Sequence, residues 1–497
     1  MRSHYLIAFA QSHGDFRLPE LQSVSELHGF SVSLPEDPDT SRPFMVVELE
    51  EEEHARTLAK RCILIKSIYE FYARGKTYDE VHDMNRSNKH LWEKFIPDTS
   101  FKFNVAGFNH TIPQKRQRDV IESFSYMDFR GKIDMKNPEI KIACFEEYES
   151  RPAPANGSPR KRCENDGQFK EVFFGRLIAE GTARQLIGVF DVKKRAYFGN
   201  TSMEAEISLL MANQTLASPS KWIYDPFMGT GSMAYVSFQT IFPTPNPPLI
   251  PPNHVLMPHS LHQPTAHFGA IVFGSDIDGR QMRGKGKPPG VMRAATQYGV
   301  ASRIIDLCTF DVTHNPWRCG ELFDAIVTDP PYGVRAGAKR LGRKKELSEA
   351  KKALYLHHSQ SPRPDDQPYI PPTKPYELSS LATDLVLLSR YLLRPGGRLV
   401  FFLPTVTDEY QEVDIDSMMC EGMQVIANSL QDFGSWGRRL ITIRKTTTRK
   451  YPLPAFPAVT DELEEVHIPA HRDFREKYFQ GFNKGQGDHS ISGSLST

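Results

Sequence analysis

Apolar and polar positions alternate along the chain in two different ways. In the first 180 residues, short β-prone runs are separated by helix-compatible stretches, a pattern that predicts an α+β region. The predicted strands of this region lie at residues 5–9, 44–49, 101–105, 140–145 and 173–178. From about residue 170, starting with the strand predicted at 173–178, the alternation becomes longer, which predicts a larger α/β domain downstream.

The larger domain is predicted to contain a series of buried strands. The runs that predict them lie at residues 187–192, 222–225, 270–274, 304–308, 322–327, 399–403, 425–427 and 440–443. Two helix signals lie between them. The sequence TSME at 201–204 has the spacing of a capping box, and a leucine repeat from Leu381 to Leu392 has helical spacing.

Composition shifts indicate where the parts divide. Residues 150–168 combine Pro, Gly, Asn and Ser with a basic triplet, as a linker does. Residues 243–267, rich in Pro and His, and residues 334–375, basic and then Pro-rich, are predicted inserts. The predicted divisions are a first α+β module at 1–70, a second at 71–180, an α/β domain at 187–450 and a C-terminal extension at 451–497.

The sequence TDPPYG at residues 328–333 directly follows the predicted strand 322–327. In open α/β sheets, ligands bind at the carboxyl ends of strands, where Asp329 would lie. Two successive prolines lack N–H groups, so the carbonyls of Asp329 and Pro330 stay outside any helix or sheet ladder. A carboxylate and a carbonyl side by side offer acceptors only. The segment therefore predicts a catalytic site, although Pro and Gly are also typical of a surface turn.

This acceptor pair suits the exocyclic amino group of a nucleobase. The nitrogen lone pair is delocalised into the ring, and two acceptors on its hydrogens would free that lone pair for attack on an electrophilic methyl group. Positioning of this kind supplies most of the catalysis. Tyr332 is predicted to stack on an extruded base, a contact worth about 1–3 kcal/mol in comparable sites. Asp329, Pro330 and Tyr332 are therefore the predicted catalytic residues.

A second segment, DPFMGTGS at residues 225–232, follows the predicted strand 222–225 and opens a helix. Gly229 and Gly231 would let backbone N–H groups approach a ligand at the positive end of that helix. The segment lacks the third glycine of a dinucleotide fingerprint and the Gly-Lys-Ser/Thr ending of a phosphate loop. These differences argue against NAD and ATP, and Asp225 suits a ligand that carries an ammonium group.

Two further acids follow predicted strands. Asp276 comes after the strand 270–274, and we prefer it to Asp278 as the acceptor for ribose hydroxyls. Asp311 follows the strand 304–308 and could accept from an adenine amino group, although a helix cap explains it equally well. Taken together, the Gly-rich turn and the acids predict a site for an adenosine-bearing sulfonium cofactor beside a pocket for a base amine.

Composition narrows the class of protein. The 497 residues carry a net charge of +1 with 39% hydrophobic and 24% charged residues, as in ordinary globular proteins. No apolar run approaches the roughly 18 residues that a membrane helix needs, and the N-terminus lacks a signal-like apolar region. The six cysteines form no C-x-x-C pair. That pattern predicts a reducing, cytoplasmic compartment and no zinc site in the chain itself.

Because the net charge is so small, nucleic-acid binding would have to come from local basic clusters. Residues 335–352 hold eight Lys or Arg against two acids, and a basic helix is predicted from about 115 to 124. A solvated surface explains such clusters about equally well. The predicted RNA-binding residues are Lys115, Arg116, Arg118, Arg335, Lys339 and Arg340.

The sequences DPPY at 329–332 and DPFMGTG at 225–231 resemble motifs of the class I, S-adenosylmethionine-dependent amino-methyltransferases. Together with FGNTSMEA at 198–205, residues 1–180 are similar to the THUMP-domain tRNA (guanine-N2)-methyltransferases, in particular the eukaryotic enzymes for guanosine at position ten. The resemblance implies a Rossmann-like catalytic domain preceded by a ferredoxin-like module and a THUMP RNA-binding module. It also implies S-adenosylmethionine as cofactor, tRNA as substrate, and a heterodimer with a small zinc-binding activator subunit docked on the catalytic domain.

The resemblance implies a set of cofactor-binding residues and no metal ligand. The set consists of Phe198, Thr201, Met203, Asp225, Phe227, Gly229, Gly231, Asp276, Asp311 and Asp329. Two alternatives remain open. An adenine-N6 methyltransferase acting on DNA or RNA shares the DPPY sequence and the same motif order. A non-catalytic tRNA-binding scaffold could have kept the fold, although the intact set of acids argues against it.

Overall fold

The structure is a computed structural model. It describes residues 2–149, 167–199, 202–236, 268–284, 290–333, 338–342, 348, 351, 372–456 and 469–480. The chain separates into two compact units, one formed by residues 1–189 and one from residue 190 onward, residues 257–266 apart. None of the described helices is long and apolar enough to cross a membrane.

Six strands form a single sheet in the first unit. Their bounds are β1 (Ser3–Phe9), β2 (Phe44–Leu49), β3 (Ile65–Gly75), β4 (Phe101–Phe108), β5 (Ile140–Tyr148) and β6 (Phe169–Glu180). The order across the sheet is β2-β1-β3-β6-β5-β4, and neighbours are antiparallel except for β4 and β5. The strands predicted in this region are confirmed. β3 was not predicted, and it passes through residue 70, so one sheet runs through both predicted modules.

The helices of the first unit are α1 (Arg17–His28), α2 (Glu52–Arg61), α3 (Tyr78–Ser87), α4 (Lys89–Trp92), α5 (Gln114–Ser123) and α6 (Gln185–Val189). Thr77 caps α3, because its side chain accepts from the N–H of Glu80. A core cluster to which α3, α4 and α5 contribute includes the buried aromatic side chains Tyr72, Trp92, Phe124 and Phe174. Within it, the rings of Phe124 and Phe174 stack with centroids 4.2 Å apart.

The strand predicted at residues 187–192 is wrong. The chain there forms the end of α6 and then a short 3-10 helix at Val192–Lys194. Asp191 stabilises this turn by accepting the N–H of Lys193 at 3.0 Å. An apolar run of this length, broken by Gly188, does not by itself distinguish a helical turn from a strand.

Seven strands form the main sheet of the second unit, and a separate antiparallel pair forms a two-stranded sheet. The bounds are β7 (Trp222–Asp225), β8 (Ile271–Asp276), β9 (Ile304–Thr309), β10 (Phe323–Thr328), β11 (Lys339–Leu341), β12 (Thr373–Pro375), β13 (Leu393–Val406), β14 (Met423–Asp432) and β15 (Trp436–Lys445). The main sheet has the order β14-β15-β13-β10-β7-β8-β9. β9, β8, β7, β10 and β13 are parallel, while β15 runs antiparallel to both β13 and β14. The predicted α/β fold class is confirmed.

The helices of the second unit are α7 (Ala205–Gln214), α8 (Ser232–Val236), α9 (Gly279–Arg283), α10 (Gly290–Gln297), α11 (Leu378–Leu392), α12 (Val413–Asp416) and α13 (Phe474–Gln480). The leucine repeat is confirmed as the buried face of α11. The helix start predicted at 201–204 is wrong, since α7 begins at Ala205 without a side-chain cap from Glu204.

The predicted linker and inserts lie wholly or partly outside the described residues. The insert 243–267 and most of the linker 150–168 lie outside them. The described ends of the insert 334–375 pair with each other as β11 and β12.

In the C-terminal extension, Phe474 of α13 is buried, and its ring centroid lies 5.6 Å from that of Trp436. This part of the extension therefore packs on the main sheet.

Candidate active site

The ends of β7 and β10 lie side by side at the centre of the main sheet, and a buried acid joins them. Asp225 accepts from the Thr328 hydroxyl at 2.8 Å and from the N–H of Phe227 at 3.0 Å. Burial raises the pKa of Asp225 to about 7, and the negative charges of Asp276 and Asp329 act in the same direction. Asp225 thus fixes both the Gly-rich turn and the residue that precedes Asp329.

The Gly-rich turn after β7 depends on two glycines. Gly229 and Gly231 have φ angles of +51° and +80°, a region that residues with a Cβ rarely adopt. Gly229 donates its N–H to Asp276 at 2.9 Å, and Asp276 also accepts from the N–H of Asp278 at 2.8 Å. Asp278 itself caps α9 and pairs with Arg280 at 2.8 Å. The structure therefore places Asp276 rather than Asp278 at the turn, and the contact of Asp276 with ribose hydroxyls stays a prediction.

The segment before α7 packs on the same turn. The Ser202 hydroxyl lies 2.8 Å from that of Thr230, and it accepts from the N–H of Gly199 at 2.9 Å. Met203 is buried and donates its N–H to the Ser232 hydroxyl at 3.1 Å. These contacts bring the segment with Phe198, which is 54% exposed, to the turn. Thr201 lies outside the described residues.

Asp311 has the bonding of a helix cap. It is buried and accepts from the N–H of Thr313 at 2.8 Å and from the Thr313 hydroxyl at 2.9 Å. Its second oxygen accepts from the N–H of Leu341, so the acid also holds the strand pair of β11 and β12. Of the two interpretations left open by the sequence, the cap is observed, and the contact with adenine stays a prediction.

The TDPPYG segment forms the exit from β10. The Tyr332 hydroxyl donates to Oδ1 of Asp329, and its ring packs against the hydrophobic core. The Asp329 side chain is 26% exposed, and its Oδ2 lies 3.8 Å from Nη1 of Arg438. Burial raises the pKa of Asp329, whereas Arg438 and the Tyr332 hydroxyl act against that rise. The three predicted catalytic residues therefore lie at one place, and Tyr332 has a bonding role that was not predicted.

Arg438 was missed by the sequence analysis. It lies on β15 opposite Pro404 of β13. Its Nε donates to the Gln431 side chain at 2.6 Å, and its guanidinium lies 4.4 Å from the centroid of the Phe402 ring. The available signal was a charged residue at the head of the apolar run that ends at Ile443, where buried strands seldom carry charge.

The predicted RNA-binding residues fall into different environments. On α5, Lys115, Arg116 and Arg118 are exposed. Arg116 also forms an ion pair at 3.0 Å with Glu146, which is fully buried. Part of the charge of Arg116 is therefore already compensated within the first unit.

In the second unit, the two described basic residues of β11 differ in exposure. Lys339 is exposed, whereas Arg340 is only 8% exposed, with its guanidinium 5.3 Å from the centroid of the Tyr376 ring. Arg340 therefore does not present its charge to solvent. Arg335 lies outside the described residues.

Comparison with known proteins identifies the family. A family model of the Tmrp11 THUMP N-terminal domain matches residues 3–183, and one of an RMKL-like methyltransferase domain matches residues 193–354. The tRNA (guanine(10)-N(2))-methyltransferase of Saccharomyces cerevisiae is 35% identical, and the match covers 96% of this chain and 99% of the relative. The chain belongs to the tRNA (guanine(10)-N(2))-methyltransferase family.

A second member of the tRNA (guanine(10)-N(2))-methyltransferase family, TRMT11 of Xenopus laevis, is 33% identical over 97% of this chain and 92% of its own length. Among solved structures, TrmN from Thermus thermophilus covers 89% of this chain and 99% of its own, with 16% identity and a TM-score of 0.38. The fold class of this chain rests instead on its own strand order. The matched methyltransferase domain contains both the Gly-rich turn and the TDPPYG segment.

Proposed function

We propose that this protein transfers a methyl group from S-adenosylmethionine to the exocyclic N2 of guanosine at position ten of tRNA. The observation that carries the proposal is the position of Asp329 and Pro330 at the end of β10, directly beside the Gly-rich turn that follows β7. The names of the relatives support the substrate, because they specify the N2 of guanine at position ten.

The residues around the Gly-rich turn fit an adenosine-bearing sulfonium. Gly229 and Gly231 have no side chain to fill the space next to the turn, and Asp276 beside them retains acceptor capacity for ribose hydroxyls. Asp311 would accept from the adenine amino group. The turn carries no lysine for a phosphate. The residues proposed to contact the remaining cofactor surface are Phe198, Thr201, Met203, Asp225 and Phe227.

Asp329 and Pro330 would hold the amino group that becomes methylated. Oδ2 of Asp329 and the Pro330 carbonyl accept its two hydrogens, and this turns the nitrogen lone pair toward the electrophilic methyl group that S-adenosylmethionine supplies. Tyr332 occupies Oδ1 through its hydroxyl and offers its ring to the extruded base. As the new N–C bond forms, the S–C bond to the methyl group breaks and its electron pair stays on sulfur, and Asp329 would receive the proton that the nitrogen loses.

The test is single-turnover methyl transfer from labelled S-adenosylmethionine to unmodified tRNA transcripts, followed by nucleoside analysis. We expect N2-methylguanosine. If N6-methyladenosine forms instead, the interpretation of the site geometry stands, but the substrate base is adenine. If no product forms with the activator subunit present, and calorimetry detects no S-adenosylmethionine binding, the protein is a scaffold instead.

We propose that the first unit binds the tRNA, with a ferredoxin-like module at 1–70 and a THUMP module at 71–180 that share one sheet through β3. The exposed face of α5 supports this, because it presents Lys115 and Arg118 to solvent. Lys339 and Arg335 would add contacts from the second unit. The expected result is a tRNA affinity that falls with salt and is reduced in a protein in which Lys115 and Arg118 are both replaced by Gln.

We also propose that a small zinc-binding activator subunit docks on the second unit. Among the described residues, the outer strands of the main sheet are β14 and β9, and β9 carries Ile305 with 52% of its surface exposed. An outer strand with an exposed apolar residue is a suitable edge for pairing with a partner. Coexpression with the activator should give a stable heterodimer, and Ile305→Asp should prevent it. A fully active monomer that gains nothing from the partner contradicts this proposal.

A cytoplasmic location completes the proposal. The described cysteines, Cys62, Cys144, Cys308, Cys319 and Cys420, are all free thiols. Free thiols without disulfides are typical of a reducing compartment. Cell fractionation tests the location directly.

A further inference from the structure

Arg438 brings a positive charge to the catalytic segment from a different strand. Its side chain is 12% exposed, and Nη1 lies 3.8 Å from Oδ2 of Asp329. The Tyr332 hydroxyl donates to the other oxygen, Oδ1, of the same carboxylate. A separation of 3.8 Å is within the range of an ion pair but too long for a hydrogen bond. Arg438 therefore acts on the charge of Asp329 without occupying the acceptor that faces it.

Two neighbouring strands hold the guanidinium in this position. Gln431 on β14 accepts from Nε at 2.6 Å, and the ring of Phe402 on β13 lies 4.4 Å from the guanidinium carbon. The adjacent Arg439 points to the opposite face, as successive strand residues do, and its guanidinium lies over the ring of Tyr410. One of two consecutive arginines is thus held at the catalytic segment.

We propose that Arg438 is a positioning residue for methyl transfer. Held by Gln431 and Phe402, it keeps the Asp329 carboxylate and the Tyr332 phenol aligned while it leaves Oδ2 of Asp329 open to the substrate amine. This inference rests on the function proposed above and adds a residue outside the catalytic segment to it.

The proposal has a consequence for pH dependence. A protonated Asp329 would present a donor where the amine needs an acceptor. Burial raises the pKa of Asp329 and Arg438 lowers it, so removing the guanidinium leaves the effect of burial unopposed. The other charged or titratable groups that bear on this pair are Tyr332, Asp225 and Glu204. Activity of an Arg438 variant should therefore be lost at a higher pH than wild-type activity.

The experiment compares single-turnover methyl transfer by full-length wild type, Arg438→Gln and Arg438→Lys between about pH 5 and 9. Arg439→Gln is the matched control, because it removes the same charge from the opposite face of the same strand. For Arg438→Gln we expect the acid limb of the rate profile to move up by about 1 pH unit. We expect Arg438→Lys to keep the acid limb of wild type with a lower plateau rate, and Arg439→Gln to match wild type throughout.

Binding of S-adenosylmethionine, measured by calorimetry, should be unchanged in all three variants. The inference is overturned if Arg438→Gln lowers the rate by the same factor at every pH, or not at all. If Arg438→Gln does not fold, Gln431→Leu tests the proposal in its place. Removing the Gln431 acceptor frees the guanidinium, so we expect a lower plateau rate. An unchanged plateau rate contradicts the proposal. If the wild type forms no N2-methylguanosine, the proposed function is refuted. If the wild type is active and the acid limb of Arg438→Gln does not move, only the role of Arg438 is refuted.

Discussion

Each of the two units surrounds a carboxylate with tyrosine and arginine, but the bonding differs. In the first unit, Glu146 is fully buried and accepts from the hydroxyls of Tyr78 at 2.6 Å and Tyr148 at 2.5 Å. Arg116 adds a third donor at 3.0 Å. A buried carboxylate with this complete a set of donors makes the local structure rigid.

In the second unit, Asp329 has one hydroxyl donor and an arginine at ion-pair distance. The Tyr332 phenol bonds to one oxygen, and Arg438 stands 3.8 Å from the other. Acceptor capacity therefore remains open at the exit of β10. The same residue types build a fully bonded carboxylate in one unit and, in the proposed function, a reactive carboxylate in the other. The difference lies in how many donors are already bound.

Replacing the Asp329 carboxylate should have the largest effect on methyl transfer. Asp329→Asn puts an amide donor where the substrate amine needs a carboxylate, so methyl transfer should fall by at least about 100-fold. The free energy of unfolding should stay close to that of wild type, because the carboxylate is not fully bonded in the fold. Single-turnover rates and urea unfolding measure the two effects. A rate within tenfold of wild type, or a loss of stability with the loss of rate, would contradict the reactive role.

Replacing Glu146 should lower the stability of the fold and leave the chemistry of methyl transfer unaffected. Glu146→Leu leaves the hydroxyls of Tyr78 and Tyr148 without their acceptor, which should reduce the free energy of unfolding by about 2–3 kcal/mol. Arg116 is half-exposed and can turn to water, so the lost ion pair should add little. Glu122→Leu on the exposed face of α5 is the control. If Glu146→Leu abolishes methyl transfer at full stability, the contrast between the two carboxylates fails.

A third carboxylate should show its burial as a pH dependence of stability. The pKa of Asp225 is raised to about 7 in the folded chain. Because the folded state holds this proton over a range where the unfolded chain has released it, the contribution of Asp225 to stability is lost as pH rises from about 4 to 7. Asp225→Asn should flatten the decline of the urea midpoint across that window. An identical decline in the variant would show that Asp225 does not titrate there.

The smallest expected effect separates two neighbouring arginines of α5. Arg118→Gln should reduce the slope of tRNA affinity against salt by about one ion, the value for one lost phosphate contact. Arg116→Gln should reduce it by less, since Arg116 is already paired with Glu146. Filter binding at several salt concentrations distinguishes the two variants. Equal slopes would mean that the ion pair opens when RNA binds.

The arrangement of the candidate active site was predictable because its residues are close in sequence to the strands that position them. The segments after β7 and β10 each carry a strand, a turn and an acid within a few residues, and parallel strands bring such ends together. The same reasoning placed Asp276 at the end of β8. In these cases the local pattern and the topology agree.

Contacts between distant segments were not predictable in this way. Arg438 reaches Asp329 only because β15 is inserted antiparallel between β13 and β14. The burial of Arg340 depends on β11 pairing with β12 across residues 343–371, and the pairing of Arg116 depends on Glu146 of β5. A basic residue in a sequence does not reveal whether its charge is already bound inside the fold.

The most direct test of the account is methyl transfer to two tRNA transcripts that differ only at position ten and its paired base. One carries guanosine at that position and the other adenosine, and the methylated nucleoside is identified by mass spectrometry. The account predicts N2-methylguanosine with the first transcript and no product with the second. N6-methyladenosine from the second transcript, or equal methylation of both at another position, would contradict it.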